Sequence, residues 1–302
     1  MKKEPKIFVI IVTYKGMRWY DKCFSSLRES TIPLQTVVVD NTPGNEDAEY
    51  IKTHYPDIHL IKTNENLGFG RANNLGIRYA LDQGCDYVFL LNQDAWIERD
   101  SMEELVRISR QHPEFGILSP MHMNAEKNKI IMAYYDGNNN ASLLNDLYNH
   151  TLKSYYPMRY INAAAWLMTR ETLEKIGGFC PMMFQYGEDD DYLNRLFYHK
   201  IPLVLCPSVR IVHDTRESLS EQHQLREQAS QEHFYEYLDI NKSFSYSYLK
   251  RKYIKRYIRS LVHLDCTVAS HIWREYMILK RNRRTIEKCR IAHKLMQPNW
   301  LM

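Results

Sequence analysis

Chemistry is concentrated first where an apolar run ends abruptly in a carboxylate. Residues 90–95 read LLNQDA, so two leucines give way within three residues to Asp94. A carboxylate at the end of a buried strand is a hard oxygen donor. It suits Mg²⁺ or Mn²⁺, with substrate phosphates completing the shell. The same aspartate also suits a turn that caps the next helix. Further along, 177–195 read GGFCPMMFQYGEDDDYLNR, where four successive acids, Glu188 to Asp191, open a helical pattern. Acids in a first turn are favoured by the helix dipole. A carboxylate in a cleft is also a general base, with its neighbours as electrostatic support. Glu188 and Asp189 cannot point the same way on a helix, so they divide the work. His213 ends the run VRIVHD. It is either a structural histidine or, as neutral imidazole, a metal ligand.

Such residues need a scaffold, and the first 120 positions alternate strand and helix patterns. IFVIIV at 7–12 is a continuous apolar run, the pattern of a strand covered on both faces. Strand patterns recur at 34–40, 58–63, 86–92 and 115–120, with helices predicted at 19–30, 69–83 and 101–111. This alternation predicts an α/β fold, a mostly parallel sheet covered by helices. The rhythm then changes. An extended segment runs into a polar loop over 128–140, and a strand is predicted at 160–170. A short helix closed by glycine follows at 171–178, then an acidic-start helix at 188–200. Short strands at 203–206 and 209–213 complete the pattern. Open parallel sheets bind ligands at the carboxyl ends of their strands. Thr13–Tyr14, Asp40–Asn41 and Asn92–Asp94 stand at those ends, the layout of a nucleotide site.

Several classes are excluded. The chain has 302 residues, 44% of them hydrophobic and 12% aromatic, which rules out disorder as the dominant state. Gly68-Phe69-Gly70 has Asn73 where a dinucleotide fingerprint needs a third glycine, and no P-loop motif exists. Six scattered cysteines without a Cys-x-x-Cys predict neither a zinc site nor a dense disulfide framework, and a reducing cytosol is the default. No apolar run approaches the roughly 20 residues of a membrane span. The net charge of +4 hides an asymmetry: residues 241–302 carry 15 Lys and Arg against 3 Asp and Glu. This divides the chain into a mildly acidic body, 1–240, and a basic helical extension, 241–302. Within the extension, KRKYIKRYIRSLVHL at 250–264 sets Tyr253, Ile254, Tyr257, Ile258, Leu261 and Val262 at helical spacing among six basic residues. Such a helix lies on an anionic membrane surface or packs on the body with its basic face in water. No nucleic-acid-binding signature accompanies it.

Taken together, these segments resemble the inverting glycosyltransferases of family two, with the GT-A fold, and most closely their rhamnosyltransferase-like branch. The resemblance spans about residues 5–217. It rests on IVTY at 11–14, VVVDN at 37–41, NLGFGRANNLGI at 66–77, LLNQD at 90–94, GGF with GEDDD at 177–191, and His213, all in the family's order. It implies that Thr13, Tyr14 and Asp40 hold the nucleoside and that Asn66, Gly68 and Arg71 line the nucleotide and sugar site. Asp94 and His213 are the implied ligands of a Mn²⁺ or Mg²⁺ ion, with Asn92 standing where many members carry a first Asp. Asp189 is the implied catalytic base, beside Glu188, and Asp191 orients the helix start or the acceptor. Lys15, Cys180-Pro181 and Asp190 depart from the family pattern. The expected activity moves a sugar from a dTDP- or UDP-linked donor to a saccharide or lipid-linked saccharide, as in surface polysaccharide assembly. The expected location is cytoplasmic, peripheral on the inner membrane face. Two alternatives stand beside it: a nucleotidyltransferase, for which Lys15, Gly16 and Arg18 are a weak phosphate loop, and a non-catalytic sugar-nucleotide-binding scaffold.

Overall fold

The computed structural model describes residues 4–131, 141–214 and 233–301. The apolar run becomes the central strand β1, Ile7–Thr13, and its alternating side chains feed two cores. Phe8 and Ile10 pack with Ile77, Trp166 and Tyr192 on one face. Ile7, Val9 and Ile11 pack with Tyr20, Phe24 and Leu105 on the other. Burial on both faces is why this strand reads as unbroken apolar sequence. Helix α1 is Met17–Arg28, α2 is Glu46–His54, α3 is Phe69–Asp82 and α4 is Ser101–Gln111. They intervene among β2 (Gln35–Asp40), β3 (His59–Lys62), β4 (Tyr87–Leu91), β5 (Ala95–Ile97) and β6 (Ile117–Met123). The sheet continues with β7 (Tyr156–Met158), β8 (Ala165–Thr169) and β9 (Leu203–His213). Helix α5 is Ala141–Tyr148, α6 is Arg170–Ile176 and α7 is Glu188–Tyr198.

The nine strands form one sheet in the order β3-β2-β1-β4-β8-β6-β9-β5, with β7 also on β9. The pairs β2–β3, β1–β2 and β1–β4 are parallel. The chain order reverses between β1 and β4, so the ligand crevice expected at such a switch point lies beyond Thr13 and Leu91. The sheet is mixed rather than parallel throughout, because β8 enters antiparallel between β4 and β6. The two short strands expected near the end of the body are one, β9. A register shift against β6 at Pro120/Met121 lets β9 run on past Pro207 and reach β5. Helix α2 is absent from the predicted pattern because only Asp47, Ala48 and Ile51 of its nine residues are buried. Most of the stretch expected to run extended over 128–140 lies outside the described residues.

Three further helices follow: α8 (Phe234–Leu238), α9 (Tyr246–Val262) and α10 (Cys266–His293). Helices α9 and α10 form a hairpin that contributes Tyr253, Ile272, Tyr276, Leu279, Ile286 and Cys289 to a third core. That core also contains Cys180, Met183 and Phe234. The buried Arg290 guanidinium donates to the carbonyls of Tyr237, Asp239 and Lys242, at 2.8, 2.7 and 2.6 Å. Residues beyond α10 return to the sheet's helical layer: Gly178 N–H donates to Asn299 O at 2.8 Å, and Arg78 Nε to Leu301 O at 3.0 Å. Only one stripe of α9 is covered. Tyr253 is buried and Tyr257 packs on Trp273, whereas Ile258, Leu261, Val262 and the following Leu264 are exposed beside the basic residues. Among the described residues no helix is long and apolar enough to cross a membrane.

Candidate active site

Strand pairing assembles the first element of the site. Asp94 lies in the tight turn between β4 and β5, and β5 pairs antiparallel with β9 so that Ala95 faces His213. The adjacent backbone closes the register, with Asp214 N–H donating to Asp94 O at 2.8 Å. As a result His213 Nε2 stands 3.2 Å from Asp94 Oδ1, although 119 positions separate them in sequence. Asn92 Nδ2 lies 3.4 Å from the same ring nitrogen. A carboxylate oxygen and an imidazole nitrogen converging at the end of a sheet are a donor set that Mn²⁺ or Mg²⁺ accepts. Behind His213, the ring of the fully buried His122 packs edge-on at 5.9 Å. Burial, aided by the neighbouring imidazole, holds His122 well below its ordinary pKa, so it stays neutral.

The ends of β1 and β2 build the second element. Asp40 is fully buried. Thr13 Oγ1 donates to its Oδ1 at 3.2 Å and Thr42 N–H at 2.9 Å, while Lys62 Nζ lies 3.1 Å from Oδ2. Asn41 ties this end to the loop before α3: its Nδ2 donates to Gly68 O at 3.2 Å, and its Oδ1 accepts from Thr63 Oγ1 at 3.1 Å. Asn66 Oδ1 accepts from Gly68 N–H at 2.9 Å. Gly68 has φ 77° and ψ −179°, a conformation essentially reserved for glycine. A Cβ there would also collide with the Phe184 carbonyl. Arg71 reaches across to the same later segment and donates through Nε and Nη2 to Pro181 O, at 3.0 and 2.7 Å. Its guanidinium therefore fastens α3 to the 181–187 loop.

Gln93 joins these two elements. Its Oε1 accepts from Tyr14 N–H at 2.9 Å and its Nε2 donates to Tyr14 O at 3.2 Å. That two-point clamp fixes the β1 end beside the Asp94 turn and leaves the Tyr14 side chain partly exposed. In the sequence Gln93 stands within the polar strand end Asn92–Asp94, but nothing there marks its part as a clamp on the β1 end. Gly16 is required beside it, because a Cβ at that position would occupy the Gln93 side chain.

The acidic turn is the third element. Gly187, at φ 89°, precedes α7 and turns the chain into it. Asp189 Oδ2 accepts from Ala163 N–H at 3.2 Å. The next residue, Ala164, accepts through its carbonyl from Asn92 N–H at 2.9 Å. Two consecutive backbone units thus connect Asp189 to the Asp94 turn. Burial raises Asp189 above the ordinary carboxylate range, and the Ala163 N–H opposes that rise. Burial and the neighbouring Asp189 charge raise Glu188 much further, and Glu188 Oε2 has no hydrogen-bond partner. Asp189 Oδ2 has the Ala163 N–H to favour its anion, whereas Glu188 Oε2 lacks a donor among the described residues, a difference suited to Asp189 as the base. Asp190 is raised to about 7, mainly by burial and then by Asp189.

Asp191 does not join them. Two positions on from Asp189, it lies about 200° around the helix and points into the core. Arg195 Nε donates to its Oδ2 at 3.0 Å, and the same guanidinium donates to Ile176 O and Gly178 O at 2.9 and 2.8 Å. This corrects the grouping of Asp191 with the catalytic acids and assigns it to orienting the helix start.

Comparison with known proteins places this arrangement. The sequence profile described as Glycosyl transferase family 2 matches residues 8–177, more than half of the chain. The chain belongs to that family. A low-salt glycan biosynthesis hexosyltransferase of Haloferax volcanii is 27% identical over 215 residues, 68% of this chain and 66% of that protein, just under two thirds of its length. An N-acetylglucosaminyl-diphospho-decaprenol L-rhamnosyltransferase of Mycobacterium tuberculosis is 24% identical over 68% of this chain and 75% of that one. A dTDP-rhamnosyl transferase of Shigella flexneri is 23% identical over 70% of this chain and 69% of that one. Among solved structures, a mannosyltransferase of Pyrobaculum calidifontis in complex with GDP-Man and Mn²⁺ superposes with a TM-score of 0.57 at 19% identity. That match covers 97% of this chain and 74% of the other. The family's GT-A fold is therefore present here: a mixed sheet between helices, followed by a helical C-terminal region.

Proposed function

We propose that the chain is an inverting, divalent-cation-dependent glycosyltransferase that moves a sugar from a dTDP- or UDP-linked donor to a hydroxyl of a saccharide or lipid-linked saccharide. The observation that carries the proposal is the convergence of Asp94 and His213 at the switch-point end of the sheet, in a turn tied to Asp189 through the backbone of Ala163 and Ala164. Thr13, Tyr14 and Asp40 stand where the nucleoside would lie, and Asn66 and Gly68 line the adjoining wall. Asp94 and His213 would hold Mn²⁺ or Mg²⁺. Such an ion offsets the charge that gathers on a departing diphosphate. Asp189 accepts the proton of the acceptor hydroxyl as its oxygen bonds to the sugar C1 and the C1–phosphate bond breaks on the opposite face. The relatives named for rhamnosyl transfer, one to a decaprenol-linked acceptor, support a lipid-linked acceptor here. The exposed Ile258, Leu261, Val262 and Leu264, set among Lys255, Arg256 and Arg259, fit an anionic bilayer surface, with each basic residue worth about 1 kcal/mol.

A screen of nucleotide sugars for metal-dependent donor hydrolysis and transfer tests the proposal. Turnover that needs Mn²⁺ or Mg²⁺ and is lost in Asp94→Ala is expected. His213→Ala should raise the metal concentration for half-maximal activity. Donor binding without turnover would favour the scaffold reading. Nucleoside triphosphate turnover with a sugar phosphate would favour the nucleotidyltransferase.

A further inference from the structure

Where α10 ends against the start of α7, four metal-binding side chains from three parts of the chain meet in a dry core. Cys180 comes from the loop after α6, Asp191 from the first turn of α7, and Cys289 and His293 from the last turns of α10. Cys180 Sγ, an Asp191 oxygen and a His293 ring nitrogen all lie within 4.8 Å of one another. Cys289 and His293 are four residues apart on one helix and so share a face, and the Cys289 thiol neighbours that of Cys180. Three of the four are nine-tenths buried or more by a wide margin: Cys180 and Asp191 are each 1% exposed, as is His293, and Cys289 is 5% exposed.

Several polar groups here are poorly satisfied for so dry a core. Among the described residues His293 and Asp191 Oδ1 are only loosely held: Oδ1 faces His293 Nδ1 at 3.4 Å without a hydrogen bond of good geometry, and the ring's other polar neighbour is the Cys180 thiol. Buried groups without partners each cost about 1–3 kcal/mol, and such a cluster calls for an unseen partner.

We propose that Cys180, Asp191, Cys289 and His293 bind one structural zinc ion, distinct from the ion proposed at Asp94 and His213. Two thiolates, one imidazole nitrogen and one carboxylate oxygen form a closed set of the soft-to-borderline kind that zinc prefers. Zinc–ligand bonds of about 2.0–2.3 Å put tetrahedral ligands about 3.3–3.8 Å apart, so Cys180, Asp191 and His293, within 4.8 Å of one another, need a contraction of about 1 Å, and Cys289 would move in beside them from the next turn of α10. Charge also balances. The two thiolates offset the cation, and Asp191, bound through Oδ1, keeps Arg195 on Oδ2. Binding releases the two thiol protons to solvent. The ion would staple the extension to the helix that carries Asp189, two residues from Asp191. The absence of a Cys-x-x-Cys made a zinc site unexpected; the visible signal was Cys289-x-x-x-His293 on a helix, completed by residues about 100 positions earlier.

The full chain, purified under reductant without added metal, should carry about one equivalent of zinc by elemental analysis. Exchange for Co²⁺ should give the intense visible bands of a tetrahedral ion and a thiolate charge-transfer band in the near ultraviolet. Cys289→Ser and His293→Gln should each lose most of the zinc, and stripping the wild type with a strong chelator should lower its melting temperature reversibly. Asp94→Ala should retain full zinc, which separates this site from the proposed catalytic ion whatever the fate of the latter. Wild type that takes up neither Zn²⁺ nor Co²⁺ while folded would overturn the proposal. So would titration of four rather than six thiols in denaturant without reductant, which would make Cys180 and Cys289 a disulfide instead.

Discussion

Asp190 provides the sharpest quantitative test of the acidic turn. Its carboxyl has an ordinary value of 3.8 and stands at about 7 in the folded protein, because burial and then the Asp189 charge disfavour its anion. Folded protein therefore holds this proton more tightly than unfolded chain. Well below the ordinary value of 3.8 both states are protonated and nothing is lost. As pH rises from about 4 to 7 the unfolded chain ionises first, so stability falls, and above 7 the full loss persists. At about 1.4 kcal/mol per pH unit the span converts to at most about 4 kcal/mol. The side chain keeps partial solvent contact, which brings the expected figure to about 2 kcal/mol. Asp190→Asn mimics the protonated acid. It should stabilise by about 2 kcal/mol at pH 8, by about 1 kcal/mol at pH 4.5 and by almost nothing near pH 3. With an unfolding entropy of about 2 cal/mol/K per residue, the gain at pH 8 is about 3 °C in Tm. Urea or thermal unfolding at these pH values, with chelator present throughout, is the assay. An equal shift at all of them, or destabilisation at pH 8, would refute the reasoning.

The other expectations concern the site and the extension. Asp189→Asn should keep nucleotide-sugar binding, measured calorimetrically, and lower transfer by about 10²–10⁴; an inactive Glu188→Gln beside an active Asp189→Asn would reassign the base. Lys62→Met leaves Asp40 buried without its cation, and since Lys62 is itself about one quarter exposed the cost should sit below the usual 3–5 kcal/mol, near about 2 kcal/mol. An unfolding midpoint unchanged from wild type would show that the threonine donors suffice. Gly68→Ala forces a side chain into a glycine-only conformation, costing about 1–3 kcal/mol, and should weaken donor binding as the 181–187 loop shifts; unaltered affinity would place that loop outside the donor site. Replacing Ile258, Leu261 and Leu264 together by serine should reduce sedimentation with anionic liposomes at low salt without lowering Tm, and equal binding by wild type and variant would remove the membrane from the picture.

The parallel half of the sheet was legible because β1, β4 and most of β2 are buried and so appear as apolar runs, while the half-covered edge strand β3 still shows Leu60 and Ile61. Strand β5 was not, since three residues carry no period. Its consequence, the meeting of Asp94 and His213, is a matter of antiparallel register, and no spacing rule encodes that. The acidic run announced a helix start but not which acid faces the cleft; that choice follows from Arg195, whose partner Asp191 fixes the helix rotation. Arg71 stood among the donor-site residues in sequence, yet its guanidinium is spent on Pro181 O. The basic pattern of α9 showed two apolar stripes without showing that α10 covers one of them.

The tie between Asp189 and the Asp94 turn runs through the Ala163 N–H and the Ala164 carbonyl, not through side chains. A substitution scan of those positions would report only how much volume the core tolerates there, since every residue but proline at 163 supplies the same two groups. Family signatures written in side-chain letters are blind to it for the same reason. Only editing the main chain, as by an amide-to-ester exchange at 163, isolates it. At 163 and 164 side-chain identity is therefore limited by core volume alone, and the link between Asp189 and the Asp94 turn is indifferent to it.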